Sequence, residues 1–334
     1  MFEVPPCRIM GVRVALPTRK IQIPPETKLS SEIKNWYRYL MANQTVGDLA
    51  TQAGISLMES FGKVKSEIGA VVFISRTPDF RSPITAGILQ SRWDLPNDII
   101  CYDINEGHIS VIKGLHIAAA LFRNPFLKYA ILVFGDSPSK FNLKEDVSQN
   151  IVLGDSATVM LLGRSSSNEN SWHFDYIIEP KLKETYFLGK GGFRYNGSAK
   201  EFDSRLSDNW LYSLDIVKIV NFVKEQNEKF GFNKLVSNSI VISDAFVDLA
   251  LNDDLRNSSE ELTFCSIGTL DLIYKLFFNE VKSKDLSKVI LLAVSDGLCL
   301  AKADLEIEAE QIDSEVIFTD VILDIDSLNF SMNQ

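Results

Sequence analysis

The sequence predicts an α/β protein made of two similar βαβ-rich halves. Three observations carry this. Short apolar runs alternate with amphipathic helical patterns. The 334 residues, 46% of them hydrophobic, are more than one core usually organises. Two segments also echo each other, K-Y-A-I-L-V-F-G-D at 128–136 and K-V-I-L-L-A-V-S-D at 288–296, each following a helical pattern at the same relative place in its half.

In the first half, apolar runs bounded by turn or charged residues predict strands at 70–75, 99–104, 129–134 and 158–162. Helical patterns fill 45–61, 84–93 and 110–122. The last carries Ile112, Leu115, Ala118, Ala119 and Phe122 at i, i+3, i+4 spacing, the stripe of a core-facing helix. This alternation predicts a largely parallel, covered sheet. The rhythm breaks over 166–206, where S-S-S-N-E-N and later G-K-G-G read as part linker and part lid. It resumes with a helix at 211–230, a strand at 239–242, a helix at 268–281 and a strand at 289–294. The organisation predicted is therefore a first half over 1–165, an excursion over 166–206, a second half over 207–307 and an acidic extension over 308–334. Apolar runs at 316–318 and 321–323 make that extension a candidate strand against the body or a partner.

A net charge of −10 and a pI near 5.0 argue against nucleic acid or an anionic membrane as partner, since both select a basic footprint. Cys7, Cys101, Cys265 and Cys299 lie too far apart for a local metal motif and read as buried free thiols of a reducing compartment. The N-terminus lacks the pattern of a secretory signal, and no apolar run approaches a membrane span, so a cytoplasmic location is expected. Gly135, Gly154 and Gly297 follow predicted strand ends without forming a dinucleotide fingerprint; neither cofactor nor metal is expected.

Four motifs then occur in order: T-P-D-F-R-S-P-I-T-A-G-I-L-Q (77–90), D-I-N (103–105), I-A-A-A-L (117–121) and V-L-G-D-S-A-T-V-M-L-L (152–162). Together they resemble the β-ketoacyl-[acyl-carrier-protein] synthase III family, densely over 45–165 and more thinly over 207–307. The resemblance implies a thiolase-like fold, with duplicated βαβαβ halves in a five-layered α-β-α-β-α arrangement, usually as a homodimer. It also implies chemistry by three side chains. A cysteine at the N-terminus of a buried helix takes the acyl group, and a histidine and an asparagine from the second half stabilise the charge formed on decarboxylation.

None of the three is found at its matching position. The family's D-I-N-A-A-C-S-G-type run is D-I-N-E-G-H-I-S here, which puts His108 where the cysteine would be. Realignment does not restore it, because no cysteine lies between Cys101 and Cys265. The P-H-Q-A-N-type segment becomes I-V-I-S-D-A-F, with Ser243 at the histidine position and Asp244 beside it; the last histidine of the chain is His173. The asparagine turn becomes T-F-C-S-I-G-T, its position falling between Phe264 and Ile267, and no asparagine occurs from 258 to 278.

Several readings stay open for these residues. His108 is either a structural core histidine or a general base, and Ser243 with Asp244 and His108 would form a serine-type constellation only if aligned. Glu106, where the family carries alanine, introduces a carboxylate that opposes a thiolate. Trp36, in N-W-Y-R-Y-L-M-A, matches a family tryptophan that contacts coenzyme A, although the arginine and glycine of that segment become Leu40 and Ala42. Asp155, in G-D-S-A, is expected to cap backbone.

The expected function is that of a ketoacyl synthase III-like protein in a fatty-acid or polyketide-type acyl-transfer pathway, without condensing activity. It would act as a homodimer or as a heterodimer with an active ketosynthase, with acyl carrier protein or acyl-coenzyme A as further partners. The alternative is an acyltransferase that uses His108 as general base on an acyl thioester. Side chains such as Phe246 or Phe264 plugging the tunnel would oppose that alternative.

Overall fold

A computed structural model of the chain describes residues 2–4, 7–22, 36–140, 154–165, 172–179, 186–188, 212–214, 216–230, 239–243, 247, 273, 276–277, 287–295, 299–307 and 312–319. In chain order its elements are β1 (Phe2–Val4), β2 (Cys7–Pro17), β3 (Lys20–Gln22), β4 (Trp36–Arg38), α1 (Val46–Phe61), β5 (Ile68–Ile74), α2 (Thr85–Arg92), β6 (Ile100–Ile104), α3 (Ser110–Leu121), β7 (Tyr129–Asp136) and β8 (Ser156–Arg164). There follow β9 (Trp172–Ile178), β10 (Tyr186–Leu188), β11 (Tyr212–Leu214), α4 (Ile216–Phe230), β12 (Ser239–Ser243), β13 (Ser287–Ser295), β14 (Cys299–Ile307) and β15 (Asp313–Thr319).

Two sheets organise the molecule, ordered β6-β5-β7-β8-β2-β15 and β12-β13-β14-β9-β1. The echo seen in the sequence corresponds to equivalent central strands. β7 runs parallel to β5 and antiparallel to β8, while β13 runs parallel to β12 and antiparallel to β14. Each outer neighbour then meets an antiparallel strand, β8 with β2 and β14 with β9. The halves therefore repeat one strand arrangement. They also exchange ends, since β1 joins the second sheet and β15 the first.

Two expectations need correction. The sheets are mixed rather than largely parallel, because β13 turns directly into β14 between Ser295 and Cys299, a connection too short for the crossover that parallel pairing requires. And Trp172–Ile178, inside the stretch read as an excursion, is a strand of the second sheet, between β14 and the edge strand β1. The G-K-G-G run and most of the helix expected at 268–281 lie outside the described residues.

Local sequence explains the helix ends that matter here. Thr45 opens α1 with a capping box: Asp48 N–H donates to Thr45 Oγ1 (3.3 Å) and Thr45 N–H to Asp48 Oδ2 (2.8 Å). The α2 N-terminus is capped from a neighbouring strand instead, the Asp103 carboxylate of β6 accepting from Thr85 N (2.7 Å) and Ala86 N (2.8 Å). α1 and α2 cover the outer face of the first sheet, burying Leu49, Ala53, Leu57 and Leu89 against Val71, Phe73, Ile131 and Val159. The two helices meet where the Trp93 indole lies against Gly54 and donates to Thr51 O (3.1 Å).

α3 lies between the sheets. Its Val111, Ile112, Leu115 and Ala118 share one core with Val72, Ile74 and Phe134 of the first sheet and Phe174, Leu291, Ala301 and Ala303 of the second. Each large apolar side chain buried there contributes about 1.5–3 kcal/mol. On its other side His116 stacks on Phe174 (centroids 4.7 Å apart) and its Nδ1 lies 3.1 Å from the Tyr176 hydroxyl. α4 shows a buried face of Ile219, Phe222, Val223 and Gln226, the spacing of an amphipathic helix laid on a body.

Candidate functional site

The site expected from the sequence is the turn from β6 into α3. Its residues carry structural duties one by one. Asp103 caps α2, as described. Glu106 is ion-paired with Lys113 of α3, and its Oε1 accepts from Gly107 N (3.0 Å). His108 is buried, 1% exposed, in the turn before the first helical residue, Ser110. Burial, and secondarily the Arg76 guanidinium, hold its imidazole well below the usual histidine range, so it is neutral at neutral pH.

Arg76 seals the turn. A Cβ on Gly107 would stand 2.6 Å from Arg76 Nε, so only glycine leaves room for the guanidinium next to His108. Arg76 is fixed in turn by Asp136 at the end of β7. Asp136 Oδ2 lies 3.3 Å from Arg76 Nε, while its Oδ1 accepts from Arg76 N (2.7 Å) and Ser75 Oγ (3.0 Å). The cation near the helix start is thus matched by a carboxylate, and a thiolate has no counterpart in this arrangement. Sequence reasoning gave neither residue a role, although Arg76 directly follows the predicted strand at 70–75 and Asp136 closes the echoed run 128–136.

Ser243 is the buried last residue of β12. Ile242 belongs to the core that contains α3, and strand alternation therefore directs Ser243 to the opposite face of its sheet. That face is not the one α3 occupies. Asp244, Phe246, Phe264 and Ile267 lie outside the described residues. Trp36 is in β4, which pairs with β3 as a short hairpin; its side chain is outside the description.

One further residue falls near the turn, and another was expected from its motif. Cys299, at the start of β14, has its thiol pushed up to about 11, first by burial; Lys113 lowers it and Glu106 raises it. A thiol so shifted is a packing group rather than a nucleophile. Asp155 accepts from Leu40 N (2.7 Å), Ser139 N (2.9 Å) and Ser139 Oγ (2.5 Å), the backbone-capping role expected of it. A surface cleft of about 330 Å³ is lined by Ile55, Met58, Lys65, Arg92, Trp93 and Asp94, none of them on the His108 turn. Among the described residues no helix is long and apolar enough to cross a membrane.

Duplicated sheets around a central helix define a thiolase-like protein of α-β-α-β-α type. Its fold is that of the 3-oxoacyl-(acyl-carrier protein) synthase from Burkholderia xenovorans LB400, with a TM-score of 0.77 at 22% identity over 95% of this chain and 98% of that one. The family model of 3-oxoacyl-[acyl-carrier-protein] synthase III matches residues 102–178, from β6 through β9. A putative 3-oxoacyl-[acyl-carrier-protein] synthase 3 of Campylobacter jejuni is 24% identical over 304 residues, 79% of this chain and 85% of that protein. A β-ketoacyl-[acyl-carrier-protein] synthase III of Thiobacillus denitrificans is 26% identical over 245 residues, 68% of this chain and 73% of that protein. Over residues 102–178 and across these relatives, the chain is similar to the β-ketoacyl-[acyl-carrier-protein] synthase III family.

Proposed function

We propose that this protein is a non-condensing member of its family that serves an acyl-transfer pathway as a dimeric partner, either of itself or of an active ketosynthase. The observation that carries this reading is His108: a buried, neutral imidazole at the position matching the family's nucleophile, closed in by the Arg76–Asp136 pair. A second support is that the residues flanking it are already committed, Asp103 to α2 and Glu106 to Lys113.

The partner role draws on β6. It is the edge strand of the first sheet, with Tyr102 half exposed, and the adjoining Phe80 and Ile84 are exposed as well. An edge with apolar side chains is a template for pairing. Size-exclusion chromatography with light scattering, on the chain alone and mixed with a cysteine-containing homologue, tests this. A dimer at micromolar concentration in either sample is expected; monomers in both would overturn the partner role.

The alternative, an acyltransferase with His108 as base, draws on the neutral state of the imidazole, which leaves it able to accept a proton. Its burial opposes this. Thioester turnover that disappears in His108→Ala would establish the alternative.

A further inference from the structure

The extension that continues past the second half forms β15, and β15 is fastened to the first sheet in an unusual way. It lies on the edge, parallel to β2, in the register Asp313↔Gly11 to Thr319↔Pro17, with Thr18 N–H donating to Thr319 O (3.2 Å) at its end. Its side chains are half-exposed to exposed along its whole length. Its start is held by Arg13 of β2, which is buried. Arg13 Nη2 donates to Asp313 Oδ2 (2.6 Å) and Ser60 Oγ (2.7 Å), Nη1 to Asp313 O (3.0 Å), and Nε to Ser56 Oγ (3.1 Å) with Glu315 Oε2 at 3.3 Å. Near its end, the Arg38 guanidinium of β4 sits over the Phe318 ring (4.4 Å) while Nη1 donates to Pro17 O (2.7 Å).

We propose that residues 313–319 are a detachable strap that orders the β3–β4 hairpin. The chemistry of the two fastenings differs from that of the core. Arg13 and the two carboxylates make a register lock: a one-residue slip turns both acids to the other face and leaves a buried guanidinium with two serine hydroxyls and the Val12 carbonyl but no counter-charge from β15. The carboxylates themselves stay about half exposed, and no large apolar side chain of β15 is fully buried. Val316 is the one β15 side chain packed, half-buried, on the core's edge; the strap therefore opens with the fully buried core kept, and when it opens, Arg38 loses the ring it rests on. Since β4 also carries Trp36, the strap would set the order of the hairpin that the family reading places near a thioester; that consequence rests on the family reading, while the gating rests on geometry alone.

Hydrogen–deuterium exchange of the full chain tests the gating alone. In the wild type, amides of 313–319 should exchange at least ten-fold faster than those of β7, reporting a local opening. In Asp313→Asn combined with Glu315→Gln, exchange over 313–319 and 36–38 should rise by a further ten-fold or more with β7 unchanged. Phe318→Ala should raise it over 36–38. Equal exchange of β15 and β7 in the wild type would overturn the proposal even if the double variant fails to fold. So would a double variant that changes nothing, or one that accelerates β7 equally.

Discussion

Replacing His108 with glutamine should flatten the acid side of the stability profile. The native imidazole is held well below its ordinary range by burial and by Arg76, whereas in the unfolded chain it titrates near 6.5. With the folded value depressed, the unfolded state binds the extra proton first, so the native state loses stability as pH falls below about 6.5. Between about pH 7 and about pH 5.5 one such histidine removes about 1.3 kcal/mol from the unfolding free energy. His116 is shifted in the same direction by its own burial, and Asp79 and Asp155 are pushed up by theirs, which favours the fold as they protonate. All three remain in the variant, so the difference between the two profiles isolates His108. Urea unfolding followed by tryptophan fluorescence at both pH values gives that difference. Parallel losses in wild type and His108→Gln would refute the claim that this imidazole is buried and neutral.

Gly54→Ala would place a Cβ 2.1 Å from the Trp93 ring; the overpacking outweighs the helix propensity gained, and a loss of about 1–2 kcal/mol is expected by thermal unfolding. Asp155→Ala strands the Leu40 and Ser139 amides without their acceptor, with an expected loss of about 2–4 kcal/mol in the same assay. Among the three described cysteines, iodoacetamide near neutral pH should label Cys101 before Cys7 or Cys299, because the last two are buried and Cys101 is partly open; peptide mass mapping reads the order.

Much of the scaffold was legible because its signals are local. T-V-G-D announces the capping box of α1, the helical stripe of α3 lies in the central core, and the paired motifs ending in Asp136 and Asp296 mark β7 and β13 as equivalents. β2 was not legible, because Arg8 and Arg13 interrupt its apolar character, and the carboxylates that compensate Arg13, Asp313 and Glu315, lie at the other end of the chain. β9 was hidden for a different reason. Its own W-H-F-D-Y-I-I alternates well, but Ser, Asn and Gly on either side dominate a composition-based reading. The strand direction of β14 depends on connection length rather than on the residues of the strand itself.

The site was legible as a place and not as an environment. D-I-N-E-G-H-I-S identified the turn and His108 within it. That Asp103 caps α2, that Glu106 meets Lys113 and that Arg76 with Asp136 closes over Gly107 are contacts between distant segments. No spacing rule encodes them.

The proposed loss of acyl-accepting chemistry from the start of α3 is open to direct test. Intact-mass spectrometry of the full chain after incubation with acetyl- and octanoyl-coenzyme A, with thioester release followed in parallel, addresses it most directly. An unchanged protein mass is expected, with thioester loss no faster than in buffer. An acyl adduct on the protein, or turnover that His108→Ala abolishes, would contradict it.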